Sequence, residues 1–369
     1  MTKALKINKN VEEGLQEFIK FLLENKKIKG FFSLKKIDEK GRVSYSLITD
    51  INDLKDTVPF FPLMPVNAGK LLSRFTLRGS PDELVAAVVR PCELRGFIEL
   101  IKREQGGLDN LLIISSTCGG VFPTNFQVDD KVEKNLLNYW NSVKNGEIIN
   151  NTRPTCRSCE DFSPYLADIT VDIFGNSDLD KQCVMYLNSK KGEEIAKSFD
   201  GVLLDINIDN KKLEQLRNKR ASEKKNLFEE IDKKIKGIDG LIDVFGKCIS
   251  CHGCMRVCPI CYCTLCEFES SDVEYKPSNY ESELKKRKGI RVPPGTVFFH
   301  LGRMLHMGVS CVACGACDDV CPVDIPVSMM FKKIGESIQK MFDYLPGRAI
   351  DEDIPLVTFE KNEFIEVEE

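Results

Sequence analysis

At 369 residues, with 42% apolar and 29% charged residues, the chain has the composition of an ordinary globular protein, long enough for two or three domains. A formal net charge of −4 excludes a general nucleic-acid binder, which carries a basic excess. No stretch approaches the roughly 18 uninterrupted apolar residues of a membrane span.

Sixteen cysteines lie behind an N-terminus, Met-Thr-Lys-Ala-Leu-Lys, that has no apolar secretion core. They predict metal sites in a reducing compartment, the cytoplasm, rather than disulfides. Val11, Leu15, Phe18, Ile19, Leu22 and Leu23 recur at helical spacing, so the chain is expected to open with an amphipathic helix. Short β-type runs follow at Gly30–Leu34 and Val43–Ile48. The apolar run Leu84–Val89, bounded by Arg90-Pro91, reads as a buried strand. Leu94, Phe97, Ile98 and Ile101 then mark a helix face, and Leu111–Ile114 a second strand. Strand, helix, strand in about thirty residues is a βαβ unit.

Cys92 stands just past the first of these strands and Cys118 just past the second. Open parallel sheets bind ligands at the carboxyl ends of their strands, so the two thiols are placed to converge. Cys156-Arg-Ser-Cys159 adds a close pair on a later loop. Strand-like runs return at Ala167–Ile173, Cys183–Leu187 and Gly201–Leu204. Lys211–Lys236 is highly charged, but Leu227, Ile231 and Ile235 keep a helical stripe, which predicts an exposed connecting helix.

Two copies of Cys-x-x-Cys-x-x-Cys-x-x-x-Cys-Pro follow: Cys248, Cys251, Cys254 and Cys258, then Cys311, Cys314, Cys317 and Cys321. Bacterial ferredoxins hold two 4Fe–4S clusters with this spacing, the fourth cysteine of each block serving the other cluster. The expected sets are therefore Cys248, Cys251, Cys254 with Cys321, and Cys311, Cys314, Cys317 with Cys258. Structural zinc uses two Cys-x-x-Cys pairs around one ion and fits the third cysteine and the repeated proline less well. The intervening stretch begins with Cys261, Cys263 and Cys266, which either hold a further cluster or are inert. Cys183 completes such a set only if the fold brings it there, and otherwise reads as core. The stretch continues through the basic run Lys285–Lys288, a solvated face or a docking patch for an acidic partner. It ends in an expected helix, Phe298–Met307, carrying His300, Arg303 and His306. The two histidines, six apart, share a helix face poorly, which argues against a two-histidine metal site. Val327–Phe342 reads as a last helix.

The chain thus divides into an α/β domain with a parallel or mixed sheet (1–210), a charged helical connector (211–240), a ferredoxin-like α+β dicluster domain (241–345) with an insertion (259–310), and an acidic tail (346–369). The segment Cys156-Arg-Ser-Cys-Glu-Asp-Phe-Ser-Pro-Tyr-Leu-Ala-Asp-Ile resembles one found in the beta subunits of coenzyme F420-linked hydrogenases and formate dehydrogenases. Arg90-Pro91-Cys92, Cys118 and the run Cys-Pro-Ile-Cys-Tyr-Cys-Thr-Leu-Cys from Cys258 resemble that family too. The resemblance implies a third cluster on Cys92, Cys118, Cys156 and Cys159. It also implies an iron–sulfur electron-transfer subunit working between a formate dehydrogenase or hydrogenase catalytic subunit and a heterodisulfide-reductase-type flavoprotein. Family members that reduce the deazaflavin carry an early Ser-x-x-Gly-Gly or Cys-Gly-Gly segment; residues 1–60 have none, and no Gly-x-Gly-x-x-Gly or Walker loop appears. The alternative is an FAD-containing subunit that oxidises or reduces F420; a zinc-bearing scaffold is more distant.

Overall fold

The computed structural model describes residues 2–38, 42–124, 132–206, 208, 210–273, 275–290 and 292–355. Eight strands form one mixed sheet: β1 (Thr2–Ile7), β2 (Gly30–Lys36), β3 (Val43–Ile48), β4 (Val85–Val88), β5 (Leu111–Ser116), β6 (Ile169–Val171), β7 (Cys183–Leu187) and β8 (Val202–Ile206). They lie in the order β3-β2-β4-β5-β6-β7-β1-β8. The pairs β2–β4, β4–β5 and β5–β6 are parallel; the outer pairs are antiparallel. This is the α/β domain expected, with a mixed sheet. Its opening differs from the sequence reading, because strand β1 precedes the first helix. Lys3 and Lys6 hide the alternation, yet Ala4, Leu5 and Ile7 are buried and β1 pairs on both sides.

Helices α1 (Val11–Glu24), α2 (Ala68–Thr76), α3 (Pro91–Ile101), α4 (Val132–Asn145), α5 (Pro154–Arg157) and α6 (Lys190–Lys197) accompany the sheet. Phe18, Leu15 and Ile19 of α1 join Ala86, Leu112, Ile114 and Ile169 in one core on one face. Leu72, Leu94, Phe97 and Ile98 of α2 and α3 cover the other with Ala87 and Ile113. Helices α2 and α3 touch backbone to backbone. A Cβ on Gly69 would stand 2.4 Å from the Glu93 carbonyl oxygen and 2.7 Å from the Phe97 nitrogen. We expect Gly69→Ala to destabilise the protein by about 1–3 kcal/mol, the usual cost of overpacking. Denaturant unfolding checks this, and an unchanged midpoint would refute it.

The remaining described elements are helices: α7 (Asn210–Lys234), α8 (Gly237–Phe245), α9 (Gly253–Arg256), α10 (Pro277–Arg287), α11 (Thr296–Met307), α12 (Ala316–Asp319) and α13 (Val327–Met341). The expected exposed connector is only half right. Leu216, Arg220, Leu227 and Ile231 of α7 are buried, so one face of this charged helix is core. Leu227 and Ile231 pack with Met304 of α11 and Met330 and Phe331 of α13. Lys285–Lys288 is exposed at the end of α10. Residues 356–369 of the expected acidic tail lie outside the described residues. Among the described residues, no helix is long and apolar enough to cross a membrane.

Candidate metal centres

The parallel strands fix the first site. Cys92 is the second residue of α3, directly beyond β4, and Pro91 starts that helix at the position where a missing N–H costs nothing. Glu93 accepts the Arg90 N–H at 2.8 Å and the Ala68 N–H at 3.1 Å, which locks the turn. Cys118 follows β5, and its N–H donates to the Phe162 carbonyl at 2.8 Å. Cys156 lies within α5 and Cys159 just after it. Arg220 of α7 clamps the two loops, donating to the carbonyls of Cys118 and Gly119 at 3.1 Å and of Cys159 at 3.2 Å.

Burial pushes the Cys92 thiol well up, and Glu93, Cys314, Cys118 and Cys156 facing it push the same way. Burial likewise raises Cys156 to about 11, against the pull of Arg153. Cys159 is raised by burial, while Lys332, Arg220 and Arg95 draw it down. Without metal these groups are thiols, so binding iron must release protons.

In the second half of the chain, the cysteines group across the two blocks. Cys258 lines one small, mainly apolar cavity with Cys311, Cys314 and Cys317, walled by Ile260 and Phe331. Cys254, raised to about 11 by burial and drawn down by Arg303, has Cys248, Cys251 and Cys321 as its thiol neighbours. The loops bend sharply enough to present successive thiols because Ser250, His252 and Ala313 adopt left-handed backbone conformations. Backbone N–H groups of Ser250, Ile325 and Gly120 donate to the sulfurs of Cys248, Cys321 and Cys118 at 3.4, 3.3 and 3.4 Å. Such N–H donors stabilise negative charge on cluster sulfurs and tune their potentials.

The two halves meet at these cysteines. Cys92 and Cys156 pack with Cys314 around Met64, Val121 and Ala316. Arg153, 1% exposed, ion-pairs with Asp319 and donates to the Cys314 and Met64 carbonyls at 3.0 Å. Lys332 of α13 donates to the Ser158 carbonyl at 2.8 Å. Gly315 sits at φ +80, and a Cβ there would stand 2.4 Å from the Thr155 hydroxyl, so this contact admits only glycine. Cys159 and Cys311 also open into one cleft.

Three buried arginines test whether this environment fits iron–sulfur groups. Arg90, Arg220 and Arg303 are 5%, 2% and 3% exposed, and among the described residues no carboxylate lies within ion-pair distance of any of them. Arg90 donates to the Phe61 and Leu63 carbonyls. Arg303 donates to the Cys254 sulfur at 3.1 Å and its carbonyl at 3.2 Å. A buried cation without an ion-pair partner is costly. Arg90 has the Cys118 thiol beside it, with Tyr45 and Glu93 also near, Arg220 holds the Cys118 and Cys159 backbone, and Arg303 faces Cys254, Cys258, Cys261 and Cys317. Anionic thiolate-bound clusters would supply the missing charge.

Spacing did not single out these arginines or Lys332. Arg220 was hidden in a helix whose charges read as solvated, and only its position one turn past Leu216 hinted at a buried face. Cys183 is fully buried in the sheet core, far from the role of a missing ligand. His252 stacks on Phe299 at 4.5 Å, and His300 on Phe245 at 4.3 Å. Burial lowers His300 to about 4, so it is a neutral packing group. Asp161 ion-pairs with Arg95 at 3.5 Å and accepts from the Tyr165 hydroxyl at 2.8 Å, fixing the loop after Cys159.

Residues 82–204 match the family model for the C terminus of the coenzyme F420 hydrogenase/dehydrogenase beta subunit, and residues 244–325 that for a 4Fe-4S dicluster domain. The F420-dependent formate dehydrogenase subunit beta of Methanocaldococcus jannaschii is 27% identical, with 91% of each chain covered. The F420-dependent formate dehydrogenase 1 subunit beta of Methanococcus maripaludis is 29% identical over 91% of this chain and 90% of its own. A chain of the F420-reducing NiFe hydrogenase complex from Methanosarcina barkeri superposes with a TM-score of 0.42 at 13% identity, covering 65% of this chain and 94% of that one. The dicluster match sets the zinc-scaffold reading aside: the chain is an iron–sulfur protein of electron transfer.

Proposed function

We propose that the chain is the electron conduit of a multisubunit redox complex, because it joins the C-terminal domain of coenzyme F420 hydrogenase/dehydrogenase beta subunits to a 4Fe-4S dicluster domain. Three 4Fe–4S clusters form the route. Cys92, Cys118, Cys156 and Cys159 hold one; Cys258, Cys311, Cys314 and Cys317 hold the next; Cys248, Cys251, Cys254 and Cys321 hold the third. The observation that carries this reading is that Cys314, Cys92 and Cys156 pack against one apolar patch, Met64, Val121 and Ala316, which makes the α/β site and the dicluster sites neighbours. Clusters store and pass single electrons, so a catalytic partner has to feed them. We read that partner as a formate dehydrogenase or hydrogenase catalytic subunit, with a heterodisulfide-reductase-type flavoprotein at the far end. None of the sixteen cysteines forms a disulfide, in keeping with a cytoplasmic, anaerobic complex.

A second reading is favoured by the names of the two relatives, both F420-dependent. In it, the α/β domain binds FAD and exchanges electrons with F420. The two are separated by purifying the whole chain anaerobically and measuring iron, flavin and F420 turnover. The conduit reading expects at least about twelve irons and no steady F420 reduction by the chain alone. Flavin at one per chain with sustained F420 turnover would replace it with the second reading.

A further inference from the structure

We propose that Cys261, Cys263 and Cys266 hold a further iron–sulfur cluster whose fourth ligand is His306. The inference rests on the iron–sulfur reading above and extends it to a site beside the dicluster core.

The three cysteines and His306 line one cavity of about 520 Å³, between α2, the loop after α9, and α11. Its wall carries four cationic side chains, Lys70, Arg74, Arg256 and Arg303, against one carboxylate, Glu269, which pairs with Arg256 at 3.3 Å. Lys70 donates to the carbonyls of Arg256, Cys258 and Cys261 at 2.7, 3.0 and 3.1 Å, which pins the cysteine loop to the α/β domain without neutralising the ammonium. Arg303 is 3% exposed, and its Nε has no partner. Positive walls beside three thiols call for an anionic occupant, and thiolates around an iron–sulfur cluster supply one.

Three cysteines and one histidine also make a structural zinc set, but a single zinc would draw its thiolates to about 3.8 Å apart. Among the described residues, no three His, Cys, Asp or Glu side chains close around a single ion. Ligands spread around a cavity suit a cubane better than a point. The site also adjoins the dicluster core. The side chains of Cys258 and Cys261 are hydrogen-bonded to each other. Cys258 faces one cavity and Cys261 the other, so their sulfurs bridge the two sites. Cys263 is exposed, so this cluster would stand at the surface, where a partner can exchange electrons with it. Histidine in place of a thiolate raises a cluster's potential, which would make this the electron-accepting end.

The test compares the anaerobically reconstituted full chain with Cys263→Ser, His306→Ala and His306→Cys. Wild type should hold about sixteen irons and Cys263→Ser about twelve. The reduced wild type should show nitrogen coupling to a cluster by pulsed EPR, lost in both His306 variants, while His306→Cys keeps all its iron. Equal iron in wild type and Cys263→Ser, one zinc per chain, or nitrogen coupling that survives His306→Ala would overturn the proposal. Iron near zero in the wild type would instead sink the three-cluster reading itself, so the two failures are distinguishable.

Discussion

Replacing Arg303 with methionine should lower the midpoint potentials of both dicluster sites while leaving the cluster of the α/β domain almost unmoved. Arg303 donates to the Cys254 sulfur at 3.1 Å, and its guanidinium is itself held by Cys254, Cys258, Cys261 and Cys317 once burial is set against them. It therefore faces both crossed cysteine sets. A positive charge favours the more negative, reduced form of each cluster. At about 6 Å and an effective dielectric of ~20, the Coulomb energy is about 2.8 kcal/mol. Solvent and the remaining cations reduce this, so a tenfold change in the reduction equilibrium, ~59 mV for one electron, is the expected scale. An EPR-monitored redox titration reads it. Arg303→Lys should recover much of the shift, because the charge is kept; a purely structural role would not give that recovery. In metal-free protein the sign reverses. Arg303 is there a buried cation without a carboxylate partner, and methionine at this position should raise stability.

Cys314→Ser should stop electron flow through the complex while its catalytic partner stays active with an artificial acceptor. Cys314 lies where the halves of the molecule meet, sharing the Met64, Val121 and Ala316 patch with Cys92 and Cys156 and lining the cavity of Cys258, Cys311 and Cys317. Serine is a hard oxygen donor where iron in a cluster takes soft thiolate. The variant should lose about four irons and keep its fold, because Arg153 still ties Asp319 to the Cys314-loop backbone. Electron flow persisting at wild-type rate would mean that the route bypasses this cluster.

The grouping of the eight dicluster cysteines across the two blocks was legible in their spacing, because thiols within a tight loop are placed by local geometry. Thiols three residues apart wrap one cubane whatever the rest of the chain does, and Pro259 and Pro322 punctuate both blocks. The βαβ unit was equally readable, since β4, α3 and β5 show their own periodicities and put Cys92 and Cys118 at strand ends. Contacts between distant segments decided the rest. Strand β1 escaped because its register depends on β7 and β8, not on its own lysine-rich pattern. The buried arginines escaped because charge on a helix reads as solvated until a distant loop covers it; Arg220 reaches carbonyls 61, 101 and 102 residues away. The same holds for the meeting of Cys314 with Cys156 and for the cavity that gathers His306 with Cys261, Cys263 and Cys266. Cluster loops are written in short-range covalent geometry, whereas their counter-charges and neighbours exist only where the chain folds back on itself.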